Sequence, residues 1–357
     1  NSRAGRQDPP GEMMRRQASL GAVCMLTLLL LYFFARGIQL ADILRAADNK
    51  LTLASRDGLT SSRAGELLSQ EEEQKEPLYP VFWAEEKEQQ IQYQELAKTE
   101  NVNVIQAAGN TGLLFPEGNT LAADDMSGCL LDEETAKNLF GYGTAIGQTL
   151  AYNGKEYEIR GILKKQRKVL LIRSSQHGDG MAVHLNRLTV LTGKRAPGEL
   201  TEILNERYGF SGIQEEWNLL YGIVRGILLM LPMAVMVTLL NWLYGNMRRT
   251  SEIRVRIFWK VCFWIVMIST GICLTKQVNL PPDMIPPAWS DFEFWSNLWK
   301  EKTKAAAFLI NMEKNVPETL YISSFFQSLS CGLLSLGLYC LSIIVFQHSC
   351  QQRTHKI

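Results

Sequence analysis

The chain has 357 residues, enough for two or three domains at about 150 residues each. Its 37 lysines and arginines nearly balance its 36 aspartates and glutamates, so the formal net charge is +1. Such a balance produces no strong field around the molecule and argues against nucleic acid as a partner. Charge and length therefore leave the protein's class open, and the distribution of apolar residues has to decide it.

Four apolar runs are long enough to cross a bilayer, which requires about 20 residues. The sequence predicts membrane spans at residues 18–38, 217–245, 257–275 and 325–347. The first run also resembles a signal peptide, but Phe33 stands three residues from the candidate cleavage point after Ala35, where a small residue is needed. We therefore expect an uncleaved anchor.

Basic residues in the short connecting segments predict the orientation of the spans, because such segments remain in the cytoplasm. They occur before the first span, between the second and third, and after the fourth: Arg15, Arg16, Arg248, Arg249, Arg254, Arg256, Arg353 and Lys356. The termini (1–17 and 348–357) and the loop 246–256 are accordingly predicted to be cytoplasmic. Residues 39–216 and 276–324 are then expected outside.

The first outer segment divides into two predicted parts. Residues 39–77 are polar with spaced leucines, which favours a helical stalk that is either a lever or a solvated spacer. Residues 78–216 mix short apolar runs, including Gly112–Phe115, with turn signals and helices, as in an α+β domain. Within it, Asp132 is expected to cap a helix, and Asn153-Gly154 predicts a type I′ hairpin.

The second outer segment, 276–324, begins with prolines and continues with aromatic residues at spacings near three and four. We predict an external loop with an interfacial helix, since indole rings favour the headgroup region of a bilayer. The alternative is a helix packed only against the outer domain. The residues expected at the membrane interface are Trp289, Phe292, Trp295 and Trp299.

Motifs for enzymatic chemistry are missing from the sequence. It contains no G-x-x-x-x-G-K-[ST] loop for nucleotide phosphates, no H-E-x-x-H and no G-x-S-x-G. Of the seven cysteines, only Cys129 falls in the predicted outer domain, so an internal disulfide is not expected there. The sequence thus nominates no catalytic, cofactor-binding or metal site, and we expect a chain that is not itself an enzyme.

Three segments of the outer domain carry a family resemblance: Gly128 to Gly141, ending in Leu-Phe-Gly, then Ala145-Ile-Gly-Gln-Thr-Leu150, then Tyr157-Glu-Ile-Arg-Gly-Ile162. This pattern resembles the periplasmic core of MacB-type (FtsX-like) ABC transporter permeases. The resemblance implies an α-helical membrane protein with four transmembrane helices and an α+β extracytoplasmic domain. It also implies a bacterial cell (plasma) membrane protein that serves export, efflux or mechanotransmission.

In that family, a basic loop after the second span docks on a separate cytoplasmic P-loop ATPase, which holds ATP and Mg²⁺. The residues of this chain that match the loop are Arg248, Arg249, Glu252, Ile253, Arg254 and Arg256. The sequence departs from the family in having Arg254-Val-Arg where a glycine and Arg-Ala-Leu-Gly are usual. The resemblance further implies a second permease subunit, identical or different, together with the lipid bilayer and an extracytoplasmic partner.

Other interpretations remain open at this level. The basic loop also fits a simple anchor of the positive-inside type, with no docking function. The whole chain also fits a membrane-anchored interaction or sensor protein with an extracytoplasmic binding domain and no ATPase. A membrane enzyme is a third class, for which no catalytic constellation is seen.

Overall fold

The computed structural model describes residues 10–354 except 116–119, 142, 175–182, 194, 196, 216, 278–291, 312 and 313. The chain separates into two compact units. The helical unit comprises Asn1–Asp42, Leu220–Leu298 and Ser324–Ile357, and the sheet unit comprises Ile43–Leu219 and Trp299–Ser323.

The elements follow one another in the order α1 (Pro10–Asp48), β1 (Lys50–Thr60), α2 (Ser61–Glu72), β2 (Val81–Tyr93), β3 (Lys98–Gly109), a 3₁₀ turn (Thr111–Leu113), β4 (Gly128–Asp132), α3 (Glu133–Phe140), β5 (Thr149–Tyr152), β6 (Lys155–Leu163), β7 (Val169–Arg173), β8 (His184–Leu191), α4 (Pro197–Tyr208), β9 (Ile213–Glu215), α5 (Trp217–Arg249), α6 (Ile253–Gln277), α7 (Phe292–Asn311) and α8 (Val316–Thr354).

Four helices within the described residues are long and apolar enough to cross a membrane, as the sequence predicts. These stretches are Gly21–Ala47, Trp217–Arg249, Ile253–Ile272 and Val316–Gln347. Inside the helical unit, small residues let α1, α5 and α8 approach closely. Ser328 Oγ donates a 2.8 Å hydrogen bond to the Gly37 carbonyl, and a Cβ at Gly37 would lie 3.0 Å from Leu228 Cδ2.

The sheet unit is built on a nine-stranded sheet in the order β3-β7-β4-β6-β5-β2-β8-β1-β9. Strand β2 also pairs with β3, so the six strands from β3 to β2 close into a ring. The pairs β3–β7 and β4–β6 are parallel and the others are antiparallel. Mixed pairing together with α2, α3 and α4 confirms the predicted α+β class.

Apolar residues on both faces of the strands form the core of the sheet unit. Strand β6 alternates strictly at its buried positions Tyr157, Ile159, Gly161 and Leu163, as expected of a strand with one covered face. Strands β4 and β7 are buried along their whole length, because each lies between two other strands in the interior.

Two local predictions in this unit are confirmed. Asp132 caps α3, and its Oδ1 accepts hydrogen bonds of 3.1 Å from the backbone N–H groups of Glu134 and Thr135. Asn153 and Gly154 have φ angles of 49° and 76° and connect β5 to β6. Both φ angles lie in the left-handed region of backbone conformation, which a type I′ turn requires.

The helical stalk predicted for 39–77 is wrong over residues 50–60, which form strand β1 between β8 and β9. Leu51 and Leu53 are fully buried and two residues apart, which is the period of a strand and not of a helix. The sheet unit consequently begins at Ile43, well before the predicted domain boundary at 78. Sequence reasoning missed this strand because its pairing partners lie more than a hundred residues further along the chain.

The structure gives more detail than the sequence for two further segments. The apolar run Gly112–Phe115 contains a 3₁₀ turn, because the Asn110 side chain accepts from the Gly112 N–H and starts a tight turn. The predicted loop 276–324 contains α7 among its described residues, and its position outside the membrane stays a prediction.

Candidate functional sites: the α5–α6 turn and a buried charged cluster

The predicted coupling segment 246–256 is mostly helical. Helix α5 ends at Arg249 and α6 begins at Ile253, so only Thr250, Ser251 and Glu252 lie between the helices. A connection of three residues has little conformational freedom, and α5 and α6 are therefore joined by a tight turn.

The turn is closed by hydrogen bonds among its own residues. Arg256 donates from Nε (3.2 Å) and Nη2 (3.0 Å) to the Thr250 carbonyl. Thr250 Oγ1 donates to the Asn246 carbonyl at 2.9 Å. Arg256 thus satisfies a carbonyl at the C-terminal end of α5, and its role in the turn is structural whatever else it contacts.

The other residues that match the docking loop of the family have exposed side chains at the turn. Ile253 is 71% exposed, although it is a large apolar residue. Arg248 lies over the Tyr244 ring, with 5.1 Å between the guanidinium carbon and the ring centroid. Arg249, Glu252 and Arg254 are exposed as well. Ile253 is also the first residue of the candidate span Ile253–Ile272, so its exposure fits a bilayer surface as well as a protein partner.

The aromatic helix predicted in the second outer segment is observed as α7. Phe292 is its first residue, and the side chains of Trp295 and Trp299 are 48% and 75% exposed. Trp289 lies outside the residues that the structure describes. Contact of this helix with a bilayer interface stays a prediction.

A second site, which sequence reasoning missed, is a cluster of buried charges in the sheet unit. Arg187 on β8 contacts Glu215 on β9 and Glu318 in the first turn of α8. Its Nη1 lies 2.6 Å from Glu318 Oε1 and also pairs with the Glu215 carboxylate. The three side chains are 11%, 1% and 2% exposed, so one guanidinium serves two carboxylates away from water. We call these three residues the charged cluster.

Neighbouring groups fix the orientation of both carboxylates. Glu215 Oε2 accepts from the Trp217 indole N–H at 3.0 Å. Glu318 Oε2 accepts from the Asn315 backbone N–H at 3.0 Å, which is the arrangement of a capping box at the start of α8. The Arg187 guanidinium lies over the Trp83 ring, 5.5 Å from its centroid. Each member of the cluster is therefore held by a contact outside it.

The charged cluster adjoins a cavity of about 20 Å³, enough for one water molecule. Residues from three of the long helices, or from positions just beside them, line it. Ala47 lies near the end of α1 and Lys50 two residues after it, Trp217 begins α5, and Tyr321 lies in α8. Trp217 and Tyr321 also make an edge-to-face contact at 5.2 Å. Residues at or beside the ends of α1, α5 and α8 therefore line one cavity within the sheet unit.

Burial dominates the electrostatics of this region. Desolvation, together with repulsion from Glu318, raises the pKa of Glu215 to about 8, although Arg187 and the Trp217 N–H act in the opposite direction. Desolvation lowers the pKa of Lys50 to about 8. It also raises the pKa of Glu85, whose carboxylate accepts from the Val316 N–H at 2.7 Å. Glu215 and Lys50 would therefore change charge near pH 8.

Only a weak sequence signal pointed to the charged cluster. Asn315-Val-Pro-Glu318 has the spacing of a capping box ahead of an apolar run. Nothing in the sequence links Glu318 to Arg187 or Glu215, because the three residues come from separate elements that only the tertiary fold brings together.

A family model for the MacB-like periplasmic core domain matches residues 22–206, which is more than half of the chain. The chain belongs to the MacB-type ABC transporter permease family. The matched region includes α1 from residue 22 onward and every strand of the sheet except β9. Arg187 lies inside this region, whereas Glu215, Glu318 and the α5–α6 turn lie beyond it.

Solved structures similar to this MacB-type chain include two outer domains of transporters. One is the periplasmic region of MacB from Actinobacillus actinomycetemcomitans, with 16% identity, a TM-score of 0.37 and coverage of 48% of this chain and 89% of that one. The other is the extracellular domain of the noncanonic ABC-type transporter YknZ from Gram-positive bacteria, with 15% identity, a TM-score of 0.33 and coverage of 46% and 96%. A search of curated proteins found no match. The family assignment rests on the family model.

Proposed function

We propose that this MacB-type chain is the permease subunit of an ABC transporter in which a separate cytoplasmic ATPase moves the outer domain. Family membership carries the proposal. ATP and Mg²⁺ would be held by that ATPase through its P-loop. Export from the cell or mechanical work in the envelope is the outcome expected of such a device.

The α5–α6 turn is the proposed docking element. A tight turn between two long helices transmits a push with little loss, because few backbone torsions are free to absorb it. Arg248, Arg249, Glu252, Ile253 and Arg254 would contact the ATPase, and Arg256 would keep the turn rigid through its bonds to Thr250. This division of roles refines the set of six residues that the resemblance suggests.

Transmission to the outer domain would use the long helices. Helices α1, α5 and α8 each contain residues of both units. In the proposed orientation both termini and the α5–α6 turn are cytoplasmic, in a bacterial plasma membrane, as the basic residues near the spans favour. Two permease subunits would act as a pair, an extracytoplasmic partner would receive the movement, and α7 would rest in the headgroup region through Trp295 and Trp299.

A pull-down from the native membrane tests the docking element. We expect the tagged wild-type chain to bring down a P-loop ATPase, and a variant carrying Arg248→Ala, Arg249→Ala and Glu252→Ala to lose it. The matched control carries Arg63→Ala, Arg167→Ala and Glu66→Ala, which removes the same three charges from exposed positions in the sheet unit.

The control variant should bring down as much ATPase as the wild type. Loss of the ATPase from both variants would indicate a general defect and would remove the case for docking at the turn. Absence of any ATPase from the wild-type preparation would contradict the permease proposal and favour a membrane-anchored sensor with an extracytoplasmic binding domain.

A further inference from the structure

The charged cluster has an unbalanced charge. With all three groups ionised, Arg187 contributes one positive charge against the two carboxylates of Glu215 and Glu318. The exposure of both carboxylates is at most 2%, so water does little to screen their repulsion. One added proton would leave a neutral set, in which a protonated carboxyl donates to a carboxylate that is paired with the guanidinium.

The charged cluster joins three elements of the structure, so the loss or gain of that proton affects how these elements are held together. Glu318 lies in the first turn of α8, and Glu215 is two residues before the first residue of α5. Arg187 connects both to β8, the third strand from the β9 edge of the sheet. We propose that Arg187, Glu215 and Glu318 form a proton-dependent latch that holds the beginnings of α5 and α8 on the sheet, closed when the cluster carries one proton and loosened when that proton leaves.

The elements packed against the latch supply several other charged or titratable groups. Strand β2 supplies Glu85, which accepts from the Val316 N–H, and also Lys87. Strand β1 supplies Lys50, which donates to the Leu113 carbonyl, and α8 supplies Tyr321. Lys50 also lines the cavity, and Lys87 acts electrostatically on Glu318. Arg187 is the cation that forms direct ion pairs with both glutamates, so two buried carboxylates share one guanidinium.

The direction of the pH effect follows from the pKa of Glu215, which burial raises from 4.5 to about 8. Below pH 4.5 the folded and unfolded states both hold the proton, and the stabilisation is fully present. Between pH 4.5 and 8 only the folded state holds it, so stability falls as the pH rises. Above pH 8 neither state holds it. The latch is accordingly tight in mildly acidic surroundings and weak in alkaline ones.

The latch does not depend on an ATPase, because all of its parts belong to this chain. It would act equally in a permease, where it would set how firmly the outer domain follows the membrane helices, and in a sensor. A failure of the proposed function would leave it intact, and the reverse also holds.

Indole resonances provide the direct test, since the Trp217 N–H donates to Glu215. The full-length chain is labelled with ¹⁵N-tryptophan, placed in detergent micelles and titrated from pH 5 to pH 9, with the Trp217 signal identified by its loss in Trp217→Phe. We expect this signal to shift with a midpoint near pH 8. The signal of Trp299, which is 75% exposed, should stay in place. A constant Trp217 signal, or a midpoint near 4.5, would overturn the proposal.

Thermal unfolding of the same preparation supplies a second readout. One proton held only by the folded state changes the unfolding equilibrium constant about tenfold for each pH unit between pH 5 and pH 8. Glu215→Gln, which imitates the protonated side chain and is expected to fold, should remove this dependence. The control Glu66→Gln, at an exposed position, should keep it. Equal pH dependence in wild type and Glu215→Gln would refute the latch.

Hydrogen exchange then tests whether the proton holds α8. After correction for intrinsic exchange rates, peptides that cover residues 314–321 should lose protection in the wild type when the pH rises from 6 to 9. The same peptides should remain protected in Glu215→Gln. Unchanged protection in the wild type across this range would show that the proton, even if bound, does not control the start of α8.

Discussion

The carboxylate of Glu85 on β2 accepts a 2.7 Å hydrogen bond from the backbone N–H of Val316, the first residue of α8, although 231 positions separate them in the chain. The first N–H groups of a helix have no partner within the helix and carry a partial positive charge, so a carboxylate there is favourable. Glu85 thereby connects the sheet to a helix that is long and apolar enough to cross a membrane.

Glu85→Ala should therefore destabilise the protein by about 1–2 kcal/mol, since it removes a charge-assisted hydrogen bond and leaves the Val316 N–H without this acceptor. Thermal unfolding in detergent measures the change. The control Glu156→Ala, at an exposed position on β6, should change stability by less than about 0.5 kcal/mol. Equal effects of the two substitutions would contradict the importance of this contact.

Asp132 provides a second prediction, because asparagine should fail to replace it. Its Oδ1 caps α3, while Oδ2 accepts from the Val169 N–H at 2.9 Å. Asparagine is normally as good an N-cap as aspartate, but here its NH₂ group would face another donor. We expect Asp132→Asn to cost about 2 kcal/mol, as estimated for a buried polar group without a partner. A near-neutral result in chemical denaturation would show that Val169 finds another acceptor.

Gly154 in the β5–β6 hairpin allows a test of backbone conformation without a steric contribution. A Cβ at Gly154 and a Cβ at Gly198 would each find no atom within 4 Å, but only Gly154 has a positive φ, of 76°. Gly154→Ala should destabilise the chain by about 1 kcal/mol, and Gly198→Ala in the first turn of α4 should not. Thermal unfolding of the two variants side by side decides this.

Cys129 should resist alkylation in the folded protein. Its side chain is completely buried on β4, and desolvation raises the pKa of its thiol to about 12, so almost no thiolate is present at pH 8. Peptide mass spectrometry after iodoacetamide treatment at pH 8 should find Cys129 unmodified in the native chain and modified after unfolding in denaturant. Rapid native modification would mean that β4 opens frequently.

Arg256 and Arg254 separate structural from surface roles in the α5–α6 turn. Arg256→Ala removes the two bonds to the Thr250 carbonyl, and we expect amide exchange in the turn to accelerate by roughly fivefold, which corresponds to about 1 kcal/mol. Arg254→Ala removes an exposed charge at the same end of α6 and should leave exchange unchanged. If both variants exchange at the wild-type rate, the Arg256 side chain does not stabilise the turn.

Local features of the fold were predictable because their causes lie within a few residues. The hairpin at Asn153-Gly154 follows from two residues that tolerate positive φ, and the cap at Asp132 from a side chain that reaches its own helix. The four apolar helices follow from composition over about 20 residues. In each case the residues that cause the feature lie within a single turn or a single helix.

Strand β1 could not be predicted in the same way. Leu51 and Leu53 suit a strand, but their surroundings in sequence suit a helix equally well, and α1 continues to Asp48. The outcome was decided by pairing with β8, whose Val190 and Leu188 lie opposite these leucines, and with β9. Long-range pairing of this kind overrides local propensity because it buries both side chains completely.

The sequence by itself determined the number of apolar helices, the α+β class of the outer domain and the family resemblance, since each depends on composition or on a short continuous motif. Only the tertiary structure decided where the outer domain begins and that Arg187, Glu215 and Glu318 share one buried site. The physical reason is that charge pairing acts over a few ångströms in space, and the sequence separation of these residues gives no measure of that distance.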